Sequence, residues 1–296
     1  LGQLIFQLLL PFQVIKYRKK FDIWVENFTP PFSTAFLPLF TTKPVVGLVH
    51  LLGAKDMSKK YHLPFTPIEN LGLKTYRYFI ALNTNIKETI ASKNPKSHIE
   101  LIPNGIDSKL LKVKLKKQKK HVLFIGRIDL YQKGLDLLLE SYKDLRNDAN
   151  MKLLIAGSGE AKHVRLLKEK IKEYKLTNKV EYIGKISGKK KQTILSKTAL
   201  LVLPSRYETQ PLTLLEAFYL GIPVVTYDIR DLSWLDKKYC IKIKPFKTKE
   251  FGLAILDVLK NGQQYQPFVD RAKGYAKQFN WDSLEKKYSL YINRLV

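Results

Sequence analysis

Pro204-Ser-Arg-Tyr-Glu-Thr-Gln-Pro-Leu-Thr-Leu-Leu-Glu-Ala-Phe-Tyr-Leu-Gly-Ile-Pro-Val-Val225 runs from an apolar stretch through a polar loop into a helical pattern and out into β-branched residues. Pro211 suits the first helical position, where a missing N–H is no loss, and Gly221 followed by Pro223 suits the helix stop. Ala199-Leu-Leu-Val-Leu-Pro204 and Pro223-Val-Val-Thr226 read as strands on either side, and strands joined by a crossover helix run parallel. Glu208 then falls at the carboxyl end of the first strand, where open α/β sheets take their ligands. Glu216 lies about two turns into the helix, with Leu212, Leu215 and Tyr219 as the apolar stripe beneath. A carboxylate in that crevice can accept two hydrogen bonds from a sugar or ribose diol. Two glutamates on a helix are otherwise ordinary solvated surface.

The same alternation extends toward the amino terminus. His121-Val-Leu-Phe-Ile-Gly126, Lys152-Leu-Leu-Ile-Ala156 and Val180-Glu-Tyr-Ile-Gly184 form one series with the two strands above. Their continuous apolar runs suit strands buried on both faces. An earlier series reads Phe21–Glu26, Pro44–His50, Arg77–Leu82 and His98–Ile102. Two such series predict an α/β fold of two Rossmann-like domains, residues 1–110 and 119–278, with parallel sheets covered by helices. Leu110 to Lys120, dense in lysine, is expected to be a solvated segment or linker between them. Lys249–Lys260 and Val269–Phe279 have helical spacing, and residues 279–296 are expected to form a closing helix capped by Asp282, packing back toward the first domain.

Composition narrows the function. A chain of 296 residues, 45% apolar, can bury one large core or two modest ones. The single cysteine, Cys240, excludes an internal disulfide, and no Cys/His spacing suits a zinc site. Lys and Arg total 52 against 26 acidic residues, a net charge of +26 that favours anionic partners such as nucleotides or an anionic lipid surface. Compositional bias toward lysine accounts equally well for much of that charge. The lysines are scattered rather than gathered with aromatics on one face, which argues against nucleic acid. The first apolar stretch, Leu1 to Ile15, is interrupted by Gln3, Gln7, Pro11 and Gln13 and falls short of the ~20 residues of a spanning helix. It reads as an internal amphipathic helix of a chain whose natural start is missing.

Glu208-x7-Glu216, with Pro-Ser before it and Glu-Ala followed by Gly-Ile-Pro-Val-Val after it, resembles family 4 of the retaining glycosyltransferases, which have the GT-B fold. Ile102-Pro-Asn-Gly-Ile-Asp107 is similar to that family's domain junction, and Phe124-Ile-Gly-Arg127 with Lys133-Gly134 to its phosphate-binding segment. Ile155-Ala-Gly-Ser-Gly-Glu160 and Tyr182-Ile-Gly-Lys185 resemble its ligand-facing loops. The resemblance covers about residues 44 to 235 well and the rest more weakly. It departs at Thr209-Gln210-Pro211, where the family often has Gly and Phe. The family's first glycine-rich loop would precede Leu1, so the resemblance also implies amino-terminal truncation.

What the resemblance implies is specific. Two parallel-sheet domains face each other across a cleft and close over a nucleotide diphosphate sugar. Arg127 and Lys133 hold the diphosphate, with Gly126 and Gly157 lining the donor site. Glu216 holds the ribose hydroxyls, Glu208 contacts the transferred sugar, and the backbone at Lys185 and Ile186 faces the base. Pro211, Leu212 and Thr213 open the helix beside the donor. His50 stands near the sugar and leaving phosphate, so His50, Arg127, Lys133 and Glu208 form the catalytic set. No Asp-x-Asp occurs, so no metal and no cofactor are expected, and the cations would stabilise the departing diphosphate. The implied reaction is transfer, with retention, to a hydroxyl acceptor. A lipid-linked or cell-surface glycan is expected there, met in the cytoplasm or on the inner face of an anionic membrane. The alternatives are a non-catalytic sugar- or membrane-binding relative, and a sugar-nucleotide epimerase or phosphorylase of the same fold.

Overall fold

Strands apolar at every position must be covered on both faces, and the computed structural model shows what covers them. It describes residues 2–28, 33–116, 118–145 and 151–296. The chain divides into two compact units, Leu1–Asn104 with Asp282–Val296, and Gly105–Trp281. The division precedes Leu110, and the segment expected as a linker belongs to the second unit. Leu110 is buried there, Val113 and Leu115 pack against the same cluster, and the Lys116 and Lys120 N–H groups donate to the Ser196 and Lys197 carbonyls. Lys112, Lys114, Lys116 and Lys120 are exposed, whereas the Lys119 ammonium is buried, and the apolar residues between them hold the segment down.

The second unit is built on β5 (His121–Ile125), β6 (Lys152–Ala156), β7 (Val180–Gly184), β8 (Thr198–Leu203), β9 (Val224–Tyr227) and β10 (Ile241–Ile243). All pair in parallel, in the order β10-β9-β8-β5-β6-β7. Side chains alternate between two cores. Val122, Phe124, Leu153, Ile155, Leu200 and Val202 face one, closed by α5 (Leu135–Asp144), α6 (Ala161–Glu173) and α9 (Thr248–Lys260). Leu123, Ile125, Leu201, Leu203 and Val224 face the other, closed by α7 (Gly188–Ser196), α8 (Leu212–Leu220) and α10 (Gln266–Ala276). β10 was not expected. Its Ile-Lys-Ile pattern is three residues long in a lysine-rich stretch, and Lys242 is held by Asp228 and the Leu232 carbonyl rather than by solvent.

The first unit has a parallel sheet in the order β1 (Trp24–Phe28), β2 (Val45–Val49), β3 (Tyr78–Ala81), β4 (His98–Leu101). Val45, Val49, Phe79 and Ala81 share one core with residues of α1 (Gly2–Tyr17), α3 (Phe65–Thr75) and α4 (Thr84–Lys93). Val46 and Ile80 face the other side, where Leu284 and Tyr291 of α11 (Trp281–Asn293) cover them. β1 starts later than the expected Phe21, whose ring lies edge-on to Trp24 instead. α11 begins at Trp281, so Asp282 sits in its first turn and complements the helix dipole there instead of capping. In α1, Val14 is buried, whereas Ile5, Phe6, Leu8, Leu9, Phe12 and Ile15 are exposed. α2 (Ala54–Tyr61) completes the unit.

Candidate functional site

The strand order of the second unit reverses at β5. From there the chain steps outward to β6 and β7, then returns to place β8 on β5's other side. Loops leaving β5 and β8 therefore diverge and open a crevice at their carboxyl ends. Two glycines let backbone close in around it. Gly134 caps α5 at φ 61°, and a Cβ there would lie 1.9 Å from the Pro204 carbonyl oxygen, at the end of β8. Gly157, at φ 149°, allows no Cβ either, since that atom would meet the Gly126 oxygen at 1.7 Å.

Arg127, Lys133 and Glu208 come from the two sides of this crevice. Lys133 Nζ donates to Glu208 Oε1 at 2.6 Å, and Ser205 Oγ donates to the same oxygen at 2.8 Å. Glu208 is buried, its charge answered by Lys133. Arg127 is exposed and donates to Gln132 Oε1. The loop carrying both cations is tied to the β8 loop by Arg206. Its guanidinium makes two bonds to Asp136, at 2.8 and 2.7 Å, donates to the Tyr131 carbonyl and lies 4.4 Å from the Tyr131 ring centre. The Arg206 backbone N–H donates to the Gln132 carbonyl at 2.9 Å. A planar fork of this kind fixes geometry in a way a lysine ammonium cannot.

A cavity of about 510 Å³ lies at the ends of β5, β6 and β7, lined by Gly126, Arg127, Gly157, Ser158, Lys185 and Ile186 among others. Five residues singled out from sequence thus meet in one space. Pro211, Leu212 and Thr213 open α8, but Pro211 is its N-cap, with ψ of 116°, rather than its first turn. Leu212 is 45% exposed and Leu214 takes its expected place in the core beside Leu215. Glu216 is 5% exposed. Its Oε1 accepts from Lys191 Nζ at 2.6 Å, and its Oε2 is buried without a partner. Burial, and to a smaller degree Asp107, push the Glu216 carboxyl above the ordinary range, against the pull of Lys191.

His50 belongs to the first unit, directly after β2. Its Nε2 lies 3.1 Å from Asn27 Oδ1 at the end of β1, and burial pushes its pKa down. Among the described residues no group of three His, Cys, Asp or Glu side chains is placed to hold a metal ion. Sequence reasoning missed Ser205, Arg206, Gln132 and Lys191. Ser205 and Arg206 stood in the decisive stretch, three and two residues before Glu208. Lys191 was hidden in Lys189-Lys190-Lys191, where only the structure shows which lysine turns inward.

Residues 107–275 match the family model described as glycosyl transferases group 1. The chain is 25% identical over 236 residues to an uncharacterised glycosyltransferase of Methanocaldococcus jannaschii, covering 73% of this chain and 60% of that protein. It is 27% identical over 192 residues to mannosylfructose-phosphate synthase of Agrobacterium fabrum, covering 57% and 42%. It thus spans no more than about three-fifths of the length of these relatives. Among solved structures it resembles sucrose-phosphate synthase from Thermosynechococcus elongatus, with TM-score 0.80, 18% identity, and coverage of 97% of this chain and 77% of that one. HepE of Anabaena in complex with UDP superposes with TM-score 0.80 at 16% identity, over 96% and 82%. These likenesses identify the two Rossmann-like parallel-sheet units as the GT-B fold. With the family model matching more than half its length, the chain belongs to the glycosyl transferases group 1 family.

Proposed function

We propose that this chain is the larger part of a retaining glycosyltransferase of family 4, which moves a sugar from a nucleotide diphosphate sugar to a hydroxyl acceptor. The observation that carries the reading is the crevice between β5 and β8, where two cations, a buried carboxylate and a glycine-lined cavity converge. Arg127 and Lys133 take the diphosphate, and the cavity beside Lys185 and Ile186 takes the base. The unpartnered Oε2 of Glu216 supports a ribose hydroxyl as its partner, because a buried acceptor left unmade costs about 1–3 kcal/mol.

In this reaction the bond from the anomeric carbon to the diphosphate oxygen breaks as the acceptor oxygen bonds to that carbon on the same face. The acceptor's proton passes to the departing phosphate, so no enzyme nucleophile is required. Arg127 and Lys133 stabilise the charge developing on the diphosphate, in place of a metal. Glu208 and, by the family resemblance, His50 attend the transferred sugar.

The same proposal places the acceptor on a lipid-linked or cell-surface glycan at the inner face of an anionic membrane. Its support is α1, whose exposed apolar residues run into Lys16, Arg18, Lys19 and Lys20, a pattern suited to an interfacial helix. Among the described residues no helix is long and apolar enough to cross a membrane. Calorimetric titration with UDP, GDP and ADP, without added metal, tests the donor reading. Binding of one of them, lost in Lys133→Ala, supports it, and no binding to any overturns it. Sedimentation with anionic but not zwitterionic vesicles tests the membrane reading.

A further inference from the structure

α7 begins directly after the Lys185–Ile186 loop and carries three successive lysines. Lys189 and Lys190 are exposed, whereas Lys191 turns inward, its side chain 22% exposed, and meets Glu216 of the neighbouring α8 at 2.6 Å. The ammonium engages Oε1 and leaves Oε2 buried and unpartnered. The charged groups bearing on this carboxylate are Lys191, from α7, and Asp107, from the segment ahead of the 3-10 turn Ser108–Lys112. Burial and Asp107 both oppose ionisation, so Lys191 alone favours it.

We infer that Lys191 is a positioning residue for nucleoside recognition: it occupies one oxygen of Glu216, aims the other at the ribose hydroxyls, and extends toward lower pH the range in which that carboxylate is an anionic acceptor. The inference rests on Glu216 binding ribose, as proposed above, and adds the residue that sets its charge and orientation. A carboxylate accepts stronger hydrogen bonds from a diol than a neutral carboxyl does. Without Lys191, Glu216 would be a buried acid beside Asp107, and its proton would leave only as the pH rises.

The test compares UDP with 2′,3′-dideoxy-UDP, with the guanine and adenine pairs run alongside, by calorimetry from about pH 6 to pH 9. The affinity ratio isolates the hydroxyls, because titration of the diphosphate is common to both ligands. In the unaltered protein a ratio of about tenfold or more at the alkaline end is expected for the best-bound base. In Lys191→Met the ratio should fall toward one at a higher pH than in the unaltered protein and recover as the pH rises further, and Lys191→Arg should restore the unaltered profile. If Lys191→Met does not fold, Lys191→Gln replaces it, with the same rising ratio expected. A ratio in the uncharged variant that follows the unaltered protein's at every pH overturns the role of Lys191 while leaving the ribose reading intact. A ratio of one in the unaltered protein for every base overturns both.

Discussion

Lys133 and Glu208 share a 2.6 Å ion pair across the crevice between β5 and β8, with Ser205 Oγ donating to the same carboxylate oxygen. Lys133 therefore has two tasks in the proposed reaction, a ligand for the diphosphate and an ion-pair partner that holds Glu208 in place. Arg127 has no such second task, being exposed with its guanidinium donating to the uncharged Gln132.

The two cations should consequently fail differently. Lys133→Met leaves a buried carboxylate with its counterion gone, which costs about 3 kcal/mol of stability besides at least tenfold in diphosphate affinity. Arg127→Met should lower affinity by about the same factor with the melting temperature unchanged. Calorimetry and thermal denaturation on both variants check this. Equal losses of stability would refute the division of labour.

Arg206 couples the two loops, and its effect should reach the ligand through geometry rather than contact. Arg206→Lys keeps the charge but gives up the paired bonds to Asp136 and the packing on Tyr131. A double-mutant cycle of Arg206→Lys with Asp136→Asn should show a coupling of roughly 1–2 kcal/mol in stability. Affinity for whichever nucleoside diphosphate binds should fall several-fold in either single variant, and no further in the double.

Much of this was legible in the sequence because the physics acting on it is local. Continuous apolar runs had to be two-sided strands, and Lys152–Ala156 and Val180–Gly184 form with the bounds read from composition alone. Gly126, Arg127, Gly157, Lys185 and Ile186 were grouped by the family resemblance, and the structure gathers them because parallel strands bring their carboxyl ends to one edge. What escaped depends on long-range packing. Nothing in Leu110–Lys120 reveals that its apolar minority docks on the second unit, and nothing in a triple lysine says which one meets Glu216. Leu212, in the first turn of α8, is exposed while Leu214 is buried beside Leu215, because packing and not spacing alone decides which sides of this helix are covered.

Gly134 tests how tightly the loop carrying Arg127 and Lys133 is closed. Its φ of 61° and the 1.9 Å approach of the Pro204 oxygen leave no space for a methyl group. Gly134→Ala should cost at least about 2 kcal/mol, from left-handed strain plus the displaced β8 loop. Affinity for whichever nucleoside diphosphate binds should drop with it, since Lys133 precedes this residue and Glu208 lies on the displaced loop. Retained affinity in a folded variant would show that the loop positions neither.

His121 gives the pH dependence of the second unit. It is 6% exposed, and its Nε2 lies 3.0 Å from Thr198 Oγ1 and 3.1 Å from the Ile194 carbonyl. Burial first, then the charges of Lys197 and Lys119, hold its pKa below 6.5, against the pull of the Ile194 carbonyl. The unfolded chain therefore takes up a proton at a pH where the folded unit does not. Stability should be fully present above about pH 6.5 and decline as the pH falls from there toward the depressed folded value. Urea unfolding of the protein and of His121→Asn at several pH values from 7.5 down to about 5 checks this. The variant, whatever its stability at neutral pH, should lose less on acidification, and parallel curves would assign the acid sensitivity to other groups, His50 in the first unit foremost, since burial lowers its pKa in the same sense.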